Sequence, residues 1–208
     1  MLKQTLIATA ITGATLGGYA LIAPSQAAVQ NGAEARGFML TNADGERVSL
    51  RDFKGKTVVL EWHNPGCPFV QKHYNSGNMQ QTQAAAKADG VVWLTINSGA
   101  AGKQGDLTAD EARAMIADQD FNSAHYLFDR DGRVGKAYGA KTTPHMYIID
   151  GTGMLVYQGG IDDKPTANQA DIPGARNHVT EALKEIKAGK AVSVASSRPY
   201  GCSVKYAS

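Results

Sequence analysis

Thr57-Val58-Val59-Leu60-Glu61-Trp62-His63-Asn64-Pro65-Gly66-Cys67-Pro68-Phe69-Val70 runs from strand through turn into helix. Residues 57–62 form a largely β-branched and apolar run, the pattern of a strand buried on both faces of a sheet. Asn64-Pro65-Gly66 stops it. Pro68 stands where proline is favoured, in the first turn of a helix, so Cys67 is expected at the amino end of a helix that continues through Val70 and Tyr74. A thiol there meets unpaired backbone amides and the positive end of the helix dipole, both of which favour thiolate. Cys67 is therefore a candidate nucleophile. The competing reading is a small buried hydrophobe, a common use of free cysteine.

On the amino-terminal side, Phe38-Met39-Leu40, the Asn42-Ala43-Asp44-Gly45 turn and Val48-Ser49-Leu50 predict a β-hairpin. On the carboxyl-terminal side, Asn75-Ser76-Gly77-Asn78 breaks the first helix, and helical composition resumes over 79–88. Residues 91–96 read as a second buried strand. Thr108-Ala109-Asp110-Glu111 has capping-box spacing and opens a helix through Ile116. Tyr126-Leu127-Phe128 is a short strand, and Asp131-Gly132 a turn. Thr143-Pro144 introduces a strand over 145–149, which Asp150-Gly151 turns into a partner over 154–157. Val179, Leu183 and Ile186 mark a last helix, ended at Gly189. Strands alternating with helices, then a hairpin and a terminal helix, imply an α/β domain with a mixed central sheet and helices on both faces. Trp62, Trp93, Tyr126, Phe128, Tyr147 and Tyr157 are candidate core residues.

Composition narrows the function classes. The chain has 208 residues, 43% hydrophobic and 19% charged, which fits one domain with appendages and excludes a disordered chain. Charges of both signs are interspersed to a net +2, so no nucleic-acid footprint is read. With 2 Cys, a disulfide scaffold and a four-cysteine zinc site are both excluded. No cofactor-binding motif is read. The loop Ser98-Gly99-Ala100-Ala101-Gly102-Lys103-Gln104-Gly105 lacks the order of a phosphate loop and is expected to be a flexible surface loop.

Met1-Leu2-Lys3, the apolar run over 6–23 and the small residues before a cut after Ala27 predict a cleaved signal peptide over 1–27. The mature protein is then expected in a periplasmic or secreted, oxidising space, without a membrane partner. Residues 28–37 read as a flexible lead-in, 38–189 as the domain, and 190–208 as a tail carrying Cys202.

Phe38-x-Leu40, Asp44-Gly45, Val48-x-Leu50, Lys54-Gly55-Lys56, the strand ending at Trp62, Gly66-Cys67-Pro68 and Thr143-Pro144 together resemble the thioredoxin-fold redoxins of the alkyl hydroperoxide reductase and thiol-specific antioxidant (AhpC/TSA) type. The resemblance spans 38–187 and is greatest to the peroxiredoxin-like branch with one cysteine at the first position of the thioredoxin Cys-x-x-Cys. It implies a thioredoxin-like fold, Cys67 as the nucleophile, and Pro144 as a cis-proline facing it. The Thr143 backbone would then be free to pair with an extended thiol substrate. The implied activity is antioxidant or thiol-disulfide exchange, with a thiol or disulfide redox partner. Val70 stands where a second motif cysteine would be, so no disulfide can close within the motif.

Cys202, in Tyr200-Gly201-Cys202-Ser203, is the other thiol. A structural Cys67–Cys202 bridge closing a loop of this length would add about 4 to 5 kcal/mol on the chain-entropy model. A catalytic version makes Cys202 the resolving cysteine. The sequence leaves both open. It also leaves a non-catalytic thioredoxin-like domain whose single bridge is merely structural, and a metal reading, in which Cys67 with His63 or His145 holds copper or zinc. Against this, His63 would simply end a strand, His145 begin one, and His73 lie exposed on its helix. His125 and His178 read as surface residues.

Overall fold

The structure, a computed structural model, describes residues 27–207. Of the leader expected over 1–27, residues 1–26 lie outside them. The hairpin forms as expected from β1 (Met39–Asn42) and β2 (Arg47–Ser49) around Gly45, whose positive φ of 85° suits glycine. β3 (Val58–Trp62), β4 (Val92–Asn97) and β5 (His125–Phe128) run parallel side by side. β7 (His145–Ile149) and β8 (Leu155–Gly159) extend the sheet antiparallel beyond β3. The seven strands lie in the order β2-β1-β5-β4-β3-β7-β8.

Helices cover both faces. α1 (Pro68–Asn75), α2 (Asn78–Ala88) and α5 (His178–Lys187) pack on the face where Val59, Trp93, Met146, Ile148 and Tyr157 point. α3 (Ala109–Asp118) has its capping box made by Thr108 and Glu111 and packs through Ala112 near Tyr126. The opposite face carries Val58, Leu60, Trp62, Leu94, Ile96 and Tyr147 under α4 (Arg133–Tyr138), whose Tyr138 is buried there. Alternation along β3 sends Val58, Leu60 and Trp62 one way and Val59 and Glu61 the other, so every residue of the strand is buried. Full burial of a large apolar side chain such as Leu60 contributes about 1.5–3 kcal/mol.

Several expectations change. α4 was not legible, because its six residues between Gly132 and Gly139 are too few to show a helical period. The 28–37 segment is packed down and is no loose lead-in: Val29 is buried, its N–H bonds the Ala137 carbonyl, and Gly32 and Ala35 bond the β8 hairpin. The 98–105 loop is anchored at its start, since Ser98, Gly99 and Ala100 are buried. The Ser98 hydroxyl accepts from Trp62 and donates to Asp129. His73 is fully buried, not exposed, because it shares with Val70 and Tyr74 the stripe that α1 turns to the core. His125 and His178 are half-buried.

The tail does not leave the domain. Ala195 and Ser197 bond Gln158 of β8, and Val204 bonds the Lys141 carbonyl. Cys202–Ser203 forms a short strand, β9, antiparallel to β6 (Thr142–Thr143).

Candidate active site

Cys67 is the N-cap of α1, with Pro68 in the first turn, as the strand-turn-helix pattern requires. Its side chain is 0% exposed. Thr143 precedes β7, the strand paired with β3, so the loop leaving β3 and the segment entering β7 meet at one end of the sheet. There Cys67 Sγ donates to the Thr143 carbonyl at 3.1 Å. The Thr143–Pro144 peptide bond is cis.

The Thr143 backbone is not free. In the β6–β9 register Thr143 lies opposite Cys202, and Thr142 opposite Ser203. The tail thus occupies the edge that was expected to receive an extended substrate. A short strand edge with unpaired backbone groups is satisfied most cheaply in entropy by a segment of the same chain.

Cys67, Thr143, Pro144 and Cys202 therefore converge, although they lie far apart in sequence. The two thiols are free and interact with each other. Burial works against a Cys67 thiolate, but hydrogen bonds from the Cys202 side chain and backbone, from the Thr143 side chain and from the Val70 backbone outweigh it and hold the thiol below its ordinary value. Cys202 moves the opposite way: burial, and then the thiolate beside it, push it up to about 11. The titration of each thiol therefore depends on the other, and Cys67 is the more acidic of the two.

The three histidines near this end each have other partners. His63 is buried among the rings of Tyr74, Phe121 and Tyr126, with Nδ1 3.1 Å from the Tyr126 hydroxyl. Burial lowers it to about 3. His145 Nδ1 meets the Lys141 N–H and the Tyr147 hydroxyl, and burial lowers it likewise to about 3. Among the described residues no group of three or more metal-ligating side chains assembles.

Two clusters went unread in the sequence. Glu61, wholly buried on β3, accepts from Tyr74 at 2.8 Å, Gln83 at 3.1 Å, Trp93 at 2.8 Å and Thr95 at 3.3 Å. Burial raises its pKa in spite of those donors. A single carboxylate inside an otherwise apolar strand was the available signal. The second cluster ties the tail to α1. The Tyr200 hydroxyl donates to Asp162 and lies 3.2 Å from His73 Nε2, while Lys72, buried beside them, pairs with Asp162 at 3.5 Å. Lys72-His73 directly after the Val70 turn, with Tyr200 just before Cys202, are its sequence elements, but nothing local joins them.

A cysteine capping the helix that follows the central parallel strand, set against a proline at the entry to the next antiparallel strand, defines a thioredoxin-like redoxin. Comparison with solved structures agrees on the fold. A hypothetical protein of Sinorhizobium meliloti superposes with a TM-score of 0.73 at 24% identity, over 87% of this chain and 97% of that one. An uncharacterized conserved protein of Geobacillus kaustophilus does so with a TM-score of 0.71 at 28% identity, over 86% and 93%. The AhpC/TSA family pattern matches residues 31–158. The chain belongs to the AhpC/TSA family and is by class an oxidoreductase. Among named relatives, the thiol-disulfide oxidoreductase ResA of Bacillus thuringiensis is 25% identical over 127 residues, 61% of this chain and 68% of ResA. The thioredoxin-like protein YneN of Bacillus subtilis is 24% identical over 156 residues, 74% of this chain and 86% of YneN.

Proposed function

We propose that the protein is an exported thiol-disulfide oxidoreductase whose redox couple is Cys67 and Cys202. The observation that carries this reading is that both cysteines attach to one residue: Cys67 through its sulfur to the Thr143 carbonyl, Cys202 through the β6–β9 register. On oxidation the two thiols lose two electrons and two protons to a partner disulfide, which becomes two thiols, and a Cys67–Cys202 bond closes. Cys67 is the thiolate of the couple, and Thr143 and Pro144 shape the place where the bond forms. The names of relatives such as ResA support thiol-disulfide chemistry. The apolar run over 6–23 and the small residues before Ala28 support export, and none of the helices in the described residues is long and apolar enough to cross a membrane.

Equilibration of the reduced protein in glutathione buffers of graded potential, with peptide mapping of the bond formed, tests the proposal. A Cys67–Cys202 disulfide that opens and closes between the potentials of thioredoxin and protein disulfide isomerase, about −270 to −180 mV, is expected. A bond that stays closed below about −300 mV would make the bridge structural.

A further inference from the structure

The docked tail gives the two sulfurs unequal access to the outside. Cys67 sits in the core cluster with Val70, Tyr74 and Met146 and is 0% exposed, whereas Cys202 is half-buried on the surface strand β9. A cavity of about 580 Å³ opens beside that strand, lined by Thr142, Asp162, Arg198, Pro199, Tyr200 and Gly201. It reaches the residue immediately before Cys202.

The tail is held in this position on both sides of Cys202. Upstream, Tyr200 is bound into the Asp162, His73 and Lys72 cluster and packs edge-on against Phe69. Downstream, the Tyr206 hydroxyl bonds the Ala140 carbonyl at 2.8 Å, and its ring fills space that Gly132 and Gly135 leave by having no side chains. Between the two anchors, Gly201 lets the strand approach Thr143 closely.

We propose that external thiols exchange with this protein through Cys202 on the tail, and that Cys67 is the internal partner that leaves and returns. This deepens the oxidoreductase reading and rests on it. Thiol-disulfide exchange is an in-line displacement, so the attacking sulfur must come from the side opposite the bond that breaks. Cys67 has no exposed surface for such an approach, whereas Cys202 is partly open to solvent.

Starting from the Cys67–Cys202 disulfide, a partner thiolate attacks Cys202 Sγ. A partner–Cys202 bond forms, the Cys67–Cys202 bond breaks, and Cys67 departs with the electron pair as a thiolate. A second thiol of a dithiol partner, after giving its proton to solvent, then attacks the partner's own sulfur in the mixed disulfide. The partner leaves oxidised as a disulfide, and Cys202 is released as a thiolate that takes a proton. The departing group is the one the structure can still stabilise as an anion: with the Cys202 sulfur bonded to the partner, the Cys202 and Val70 backbone N–H groups and the Thr143 side chain remain directed at Cys67. A more stable thiolate leaves faster. Oxidation of the reduced protein follows the same steps in reverse.

Regiochemistry is the test. The mature chain is oxidised with glutathione disulfide, mixed briefly with the monothiol 2-mercaptoethanol, quenched with acid, blocked with N-ethylmaleimide and mapped by mass spectrometry. The expected product carries mercaptoethanol on Cys202 and maleimide on Cys67, in about tenfold excess over the reverse adduct. Equal adducts, or an excess on Cys67, would overturn the assignment while leaving the redox couple intact. Failure of the Cys67–Cys202 bond to form would overturn both. In Gly201→Ala, where the added methyl group cannot fit against Thr143, the excess should fall toward parity. An unchanged excess there would show that the docked strand does not direct the attack, which also overturns the proposal.

Discussion

Gly201 crosses Thr143 so closely that a Cβ on Gly201 would lie 2.8 Å from the Thr143 carbonyl carbon and nearer still to its oxygen. Gly201 also has a φ of 127°, where side-chain-bearing residues are strained. The approach of tail to site thus depends on one missing methyl group.

Gly201→Ala is expected to lift β9, and Cys202 with it, away from Thr143 and Cys67. Iodoacetamide, applied at a pH above the free-thiol value so that the lost Cys202 donors do not limit ionisation, should then modify Cys67 in the reduced protein about tenfold faster or more, because access to the sulfur has opened. Far-ultraviolet circular dichroism should stay unchanged, since β9 has only two residues. An unaltered Cys67 rate would mean that the tail is not what covers it.

Cys67 should titrate below the usual free-thiol value of about 8.5, read from thiolate absorbance in the reduced protein. In Cys202→Ala the side-chain donor is lost, and the Cys67 pKa should rise. A Cys67 pKa that stays put in the variant would remove Cys202 as the group that holds it down.

Burial keeps His63 and His145 neutral to about pH 3 and His73 to about pH 4. In His73 the nearby Asp162 opposes burial and Lys72 reinforces it. Each of these groups is lowered in the folded state, so below the unfolded value of about 6.5 the unfolded chain binds protons that the fold refuses. Their contribution to stability is complete above that value and declines as pH falls toward 4. Glu61, raised by burial, acts the other way just above the ordinary glutamate range. His73→Gln should reduce the pH slope of stability between about 4.5 and 6 by about 1.4 kcal/mol per pH unit. Urea unfolding of both proteins across that range checks it, and parallel slopes would refute it.

Amino-terminal mapping of the protein from its native host should find Ala28 at or near the first position. An intact Met1 in a membrane fraction would contradict the export proposal.

Local patterns settled much about this protein. The burial of β3, the Cys67 N-cap forced by Pro68, the Thr108 capping box and the β1–β2 hairpin depend on residues within one or two turns of each other, where spacing alone fixes the backbone. The combination of the strand, Gly66-Cys67-Pro68 and Thr143-Pro144 was enough to indicate the family. What sequence could not decide was how distant groups meet. Nothing near position 202 says that Cys202 lies opposite Thr143, and nothing near His73 says that Tyr200 and Asp162 come to bury it. Those contacts exist because β3 and β7 pair along their whole length, bringing the end of one loop and the start of another to a single edge that still has backbone groups to satisfy. The tail satisfies them, and only the folded chain shows that it covers Cys67 while leaving Cys202 partly in solvent.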